Sequence, residues 1–132
     1  MTIQPFGLIE MAVKELIEAK YEPADGKVGG DLSYDGTSDL YVWIGLIPGG
    51  GSADQIEGTW AVDIDCFGTS YGEAMTHALA LEAMLLTPGG HVTPTMRVDS
   101  VFENSAPAEA IWEDDGVFRI SGTYVFSARR SG

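Results

Sequence analysis

The stretch GTWAVDIDCFG, residues 58–68, alternates in character with a two-residue period, and this repeat fits a β-strand and no helix. Trp60, Val62, Ile64 and Cys66 fall on one face, and Thr59, Ala61, Asp63, Asp65 and Phe67 on the other. The tryptophan face is expected to meet a core, and the aspartate face solvent or a subunit boundary. Gly68 ends the strand. SYGE, residues 70–73, then has the spacing of a capping box, with Ser70 placed to accept from the amide of Glu73. In the helix that follows, Tyr71, Ala74, Met75, Ala78, Leu81, Glu82 and Leu85 track one side, with Glu82 the polar exception. TPGG, residues 87–90, stops it.

The rest of the chain supplies partners for this strand and helix. Ile9, Ala12, Val13, Leu16 and Ile17 recur at helical spacing and predict a first helix over residues 6–20, with Pro5 just ahead of it. EPADGKVGGD breaks that helix into a loop. DLYVWIGLI, residues 39–47, is rich in β-formers. PGGGSADQIEG, residues 48–58, including Pro48, Gly49 and Gly50, is expected to be a flexible hairpin tip. Residues 95–104 read as a strand, SAPAEAIWEDDG as a loop or short irregular strand, and residues 117–130 as a long final strand. Phe118, Ile120, Tyr124 and Phe126 share a face of that last strand, with Gly122 a gap in the row. The size of 132 residues fits one domain, 1–132. The order of elements predicts an α+β fold, a mainly antiparallel β-sheet flanked by two α-helices.

Charge narrows the partners. Seven basic residues stand against twenty acidic ones, a net −13, and no Lys or Arg occurs from Val28 to Met96. Sequence-specific nucleic-acid binding needs cations along a face, which the middle half of this chain lacks. No apolar run is long enough for a membrane span. The opening MTIQPFGLIEMAVKEL has no basic n-region and carries Glu10 in its apolar part, so it does not read as a signal peptide. A lone cysteine, Cys66, fits a reducing compartment.

The chemical readings are weak. Cys66 as a nucleophile needs a histidine base, and the chain offers only His77 and His91, with no cysteine-hydrolase signature around Cys66. Asp63 and Asp65 could share a divalent cation, but two carboxylates fall short of the oxygens calcium takes. Asp114 and Asp115 precede Gly116 as turn residues. PGGGS and DGKVGG lack the spacing of a phosphate loop. Trp43, Trp60 and Trp112 fall in or beside strands; Trp112, flanked by acids, is the candidate exposed anchor for a partner. No catalytic residue, cofactor or metal is expected.

The order of elements, VDIDCFGTSYGEAMTHALALEAML at 62–85 and the closing GTYVFSARR at 122–130 resemble the tail terminator proteins of long-tailed bacteriophages, also called tail-completion or minor tail proteins. The resemblance implies a non-enzymatic virion protein, assembled in the host cytoplasm. It implies a homo-hexameric ring on the head-proximal end of the tail tube. The ring stops tube polymerisation and offers a surface to the head connector. DNA passes through the lumen without sequence-specific contact. On this reading Asp63 and Asp65 face a neighbour or the lumen, and Arg119, Arg129 and Arg130 pair across the subunit boundary. Trp112 and the Pro48–Gly50 tip join the docking surface. Another neck or tail-tube component is the alternative within this class, and a small ligand-binding domain or enzyme the alternative outside it.

Overall fold

A computed structural model describes residues 8–31, 34, 36, 39–51, 57–110 and 116–130. The elements are α1 (Leu8–Lys20), a 3-10 turn (Glu22–Ala24), β1 (Val28–Gly29), β2 (Tyr41–Gly51), β3 (Glu57–Gly68), α2 (Tyr71–Leu85), β4 (His91–Val92), β5 (Met96–Ala110) and β6 (Phe118–Arg130). One six-stranded sheet has the order β1-β2-β3-β6-β5-β4. It is mixed: β1 runs parallel to β2, and the other neighbours pair antiparallel. The architecture is α+β.

The alternating strands put their apolar rows on one face, and both helices cover that face. Val42 and Ile44 from β2, Val62, Ile64 and Cys66 from β3, Ile120, Tyr124 and Phe126 from β6 and Val98 from β5 join one core with α1 and α2. The five apolar positions expected of the first helix are all buried. That helix begins at Leu8 in the described residues; positions 6 and 7 lie outside them. On α2, Ala74, Ala78, Leu81 and Leu85 are buried, and Ser70 Oγ accepts the Glu73 amide at 3.4 Å. Tyr71 departs from the expected core side: it is exposed and packs edge-on against Phe118, with ring centroids 6.1 Å apart.

Two hairpins are longer than local propensity predicts. β2 continues through Pro48, Gly49 and Gly50 to Gly51, so these residues form a strand end and not a loop tip. The register shifts between Ile47 and Gly51, an irregularity that accommodates proline and glycine in a strand whose outer side β1 covers only at Val42 and Trp43. Likewise β5 runs to Ala110, so of the two readings left open after residue 104, loop or irregular strand, Ser105–Ala110 takes the second. Ladder bonds to β6 hold Ser105–Ala110 extended, and register shifts at Val98/Ser100, Glu103/Ser105 and Ser105/Ala108 absorb the poor β-formers.

Charged groups tie the periphery down. Glu15 on α1 accepts from the amide of Thr95 at 3.1 Å and from its hydroxyl at 2.9 Å. The buried His91 donates Nε2–H to Leu85 O at 3.0 Å while Nδ1 takes the Lys20 ammonium at 2.8 Å. Burial lowers the basicity of His91, and Lys20 adds to the effect against the pull of the Leu85 carbonyl. This anchors β4 to the C-terminal ends of both helices. Gly90 sits just before it with φ +72°, and a Cβ there would run into Val98 O on β5. Gly90→Ala is expected to destabilise the fold by about 1–3 kcal/mol in urea unfolding. Gly89→Ala, at φ +99° but with open space around its Cβ, is expected to cost less, and equal losses would contradict the close-approach argument.

Candidate assembly surface

The sheet face away from the helices is organised in rows by the strand register. Tyr41, Phe67, Arg119 and Ala110 stand opposite one another, then Trp43, Asp65, Ser121 and Ala108, then Gly45, Asp63, Thr123 and Ser105. The next row is apolar: Ile47, Ala61, Val125 and Phe102. At the far end β6 brings Arg129 opposite Arg97.

The first two rows form a closed cluster. Arg119 lies 5.4 Å from the ring centroids of both Trp43 and Phe67. Tyr34 stacks on Phe67 and Tyr41, at 5.8 and 6.4 Å. Tyr41 donates its hydroxyl to Asp31 O at 2.5 Å, and the Trp43 indole donates to Gly30 O at 3.2 Å. The Trp43 indole lies against Gly45, where any Cβ would collide with it. The chain entering β2 therefore covers this end of the face, and Asp65 is 0% exposed.

This overturns the expectation of a solvated aspartate face at Asp65. Arg119 Nε donates to Asp65 Oδ2 at 2.5 Å, an ion pair inside one chain where the sequence reading paired Arg119 across a boundary. Asp63, half-buried, accepts the Ser121 hydroxyl at 2.9 Å. Asp65 Oδ1 has no hydrogen-bond partner among the described residues. Burial lifts the Asp65 carboxyl to about 7; Asp63 pushes the same way, while Ser121 and Arg119 pull down.

Arg129 and Arg130 are exposed. Arg129 reaches Asp99 at 3.5 Å and Arg97 reaches it at 3.6 Å, a loose surface triad. Trp112, Asp114 and Asp115 lie outside the described residues. Cys66 is buried, and burial followed by the Asp65 charge pushes its thiol up to about 12, a poor nucleophile. His77 is bonded through Nδ1 to the Tyr21 hydroxyl at 2.5 Å and lines an open cavity with Asp39, Gly72, Glu73 and Thr76. Among the described residues no three His, Cys, Asp or Glu side chains group as metal ligands. The sequence reading missed two exposed apolar groups, Leu79 on α2 and Phe102 on β5. Leu79 falls off the core side of its helix, a signal present in the sequence, whereas Phe102 stands four residues from the buried Val98, in phase with it, and reaches the other face only through the register shift between Val98 and Ser100.

Neither a protein-family model nor a curated protein matches the sequence. Among solved structures, a chain of the virion of a native gene transfer agent particle is similar, with a TM-score of 0.64 over 92% of this chain and 94% of that one. At 15% identity the likeness is one of fold.

The buried carboxyl has a measurable consequence. Its folded value of about 7 stands above the ordinary 3.8, so the folded protein holds this proton more tightly than the unfolded chain. The stability it contributes is complete below about pH 4 and is lost as pH rises through about 7, up to about 4 kcal/mol. Asp65→Asn, which keeps the neutral shape, is expected to gain on the parent protein in thermal melts as pH rises from about 4 to about 8. Parallel Tm curves would contradict the assignment.

Proposed function

We propose that this chain is a structural virion protein, a tail terminator of a long-tailed bacteriophage or a related particle. Six copies close into a ring at the head-proximal end of the tail tube, stop its growth and meet the head connector. DNA passes through the lumen. The observation that carries this reading is the fold shared with a gene transfer agent virion chain over nearly the whole of both chains. The sequence resemblance at residues 62–85 and 122–130 points the same way.

Charge fits the role. A wall with a net −13 per copy repels phosphates, so a duplex slides and does not stick. Trp112, Asp63, Arg129, Arg130 and the Pro48–Gly50 strand end stay candidates for contacts between copies or with the tube. Arg119, committed to Asp65, acts there through the shape of the face.

The test is the assembled mass and its image. Six copies of 14.1 kDa give a particle of about 85 kDa, expected in light scattering and as a ring with a central hole in negative stain. Unlimited stacking into tubes would favour a tube protein. A monomer at every accessible concentration, with or without added tail tubes, would overturn the ring reading.

A further inference from the structure

Helix α2 carries two apolar stripes, and the core uses one. Ala74, Ala78, Leu81 and Leu85 face inward. On the outer side Gly72, Thr76, Leu79, Ala83 and Leu86 repeat at alternating steps of four and three, the spacing of a helix-packing seam. All five are exposed, Leu79 at 48% and Leu86 at 37%. Nothing polar interrupts this seam except the Thr76 hydroxyl, which is turned back onto Gly72 O at 2.7 Å.

The opposite side of the molecule offers a matching surface. The row Ile47, Ala61, Val125 and Phe102 crosses four strands on the face that neither α1 nor α2 covers, and Phe102 is 65% exposed. The Arg97 and Arg129 end lies beyond it, where the two guanidiniums share the single carboxylate of Asp99, so the face is apolar with a margin of two cations to one acid. α2 has the reverse margin: Glu73 and Glu82 and no Lys or Arg. Glu82 lies beside Glu103 of β5, and the hydrogen bond between the two carboxyls raises the Glu82 carboxyl, so this edge holds two acids side by side. With one acid between two arginines the corner keeps a positive excess, α2 offers acids, and the two lie on opposite sides of the sheet, so they can meet only between separate copies.

We infer that the outer stripe of α2 in one copy packs on the Ile47–Phe102 row of the next copy, with Glu73 and Glu82 directed to its Arg97 and Arg129. The two surfaces lie on opposite sides of a single sheet, so the contact is head-to-tail, and in the ring reading its rotation closes after six copies. This rests on the ring reading above.

Leu79→Glu and Phe102→Glu each raise the concentration of half-assembly at least tenfold and leave the thermal melt within a few degrees of the parent. Val92→Glu, at an equally exposed apolar position on β4, leaves assembly unchanged. Mixing Leu79→Cys chains with Phe102→Cys chains under mild oxidation yields a mixed disulfide dimer that neither variant forms alone; Cys66, buried, stays silent. Rings that tolerate Leu79→Glu and give no mixed disulfide overturn this contact and leave the ring intact. Disulfide dimers of Leu79→Cys alone reveal a two-fold contact and also overturn it. Monomers throughout overturn the contact and the ring together.

Discussion

The unbroken pairing of β3 with β6 governs the rest of the molecule. From Glu57↔Arg129 to Gly68↔Phe118 every residue has an opposite number, with no bulge. Side chains on a strand alternate strictly, so a slip of one residue would send the core row to solvent and the Asp65 row into the helices. Irregularities are confined to the flanking ladders, β2 with β3 and β5 with β6. The straight central pair thus fixes which face is core, and the flanks bend around it.

The same register creates the costliest feature of the fold. It sets Phe67 opposite Arg119 and Asp65 opposite Ser121, at the end of the open face where Gly30, Asp31 and Tyr34 meet Trp43, Tyr41 and Phe67. A carboxylate and a guanidinium are then both withdrawn from water. Desolvation of such a pair rivals or exceeds its attraction, and here one carboxylate oxygen has no partner among the described residues. Stacking of Arg119 on Trp43 and Phe67 offsets part of that cost. A hydrophobic pair in the same place would have been the cheaper solution, so the cluster reads as a device for specificity. The contact of Asp65 with Arg119 is diagonal, since Asp65 stands opposite Ser121 and Phe67 opposite Arg119, so it depends on this register.

Much of this was legible in the chain itself because it is local. The alternation at 58–68, the Ser70 cap, the helical set from Ile9 to Ile17 and the Ile120 to Phe126 row are short-range patterns, and each appears as read. What escaped depends on partners distant in sequence. Pro48–Gly51 is a poor strand former, extended between the paired Ile47 and Gly51, and Ser105–Ala110, legible only as loop or irregular strand, is extended by its pairing with β6. The burial of Asp65 escaped because a segment more than twenty residues upstream provides the cover. The parallel β1 is two residues long, below what any periodicity can register.

Sheet edges and sheet faces are not equally available to a neighbour. β4 pairs only with Arg97 and Val98, so among the described residues the outer edge of β5 beyond them has no strand beside it. That edge carries Pro107 and the register shifts that twist it, features that discourage a second chain from adding as a strand. β2 ends in the same way, with Pro48 and an irregular register. The two faces carry no such guards. One shows an apolar row with two arginines around Asp99 at its margin, the other a helix with leucines outward and acids beside them. Chains of net −13 repel at a distance, but at physiological salt that repulsion fades over about 8 Å, the scale at which apolar contact begins. Copies that meet face to helix would gain short-range burial where the local charges are opposite. Copies that meet edge to edge would gain ladder bonds only by straightening two strands built to stay bent.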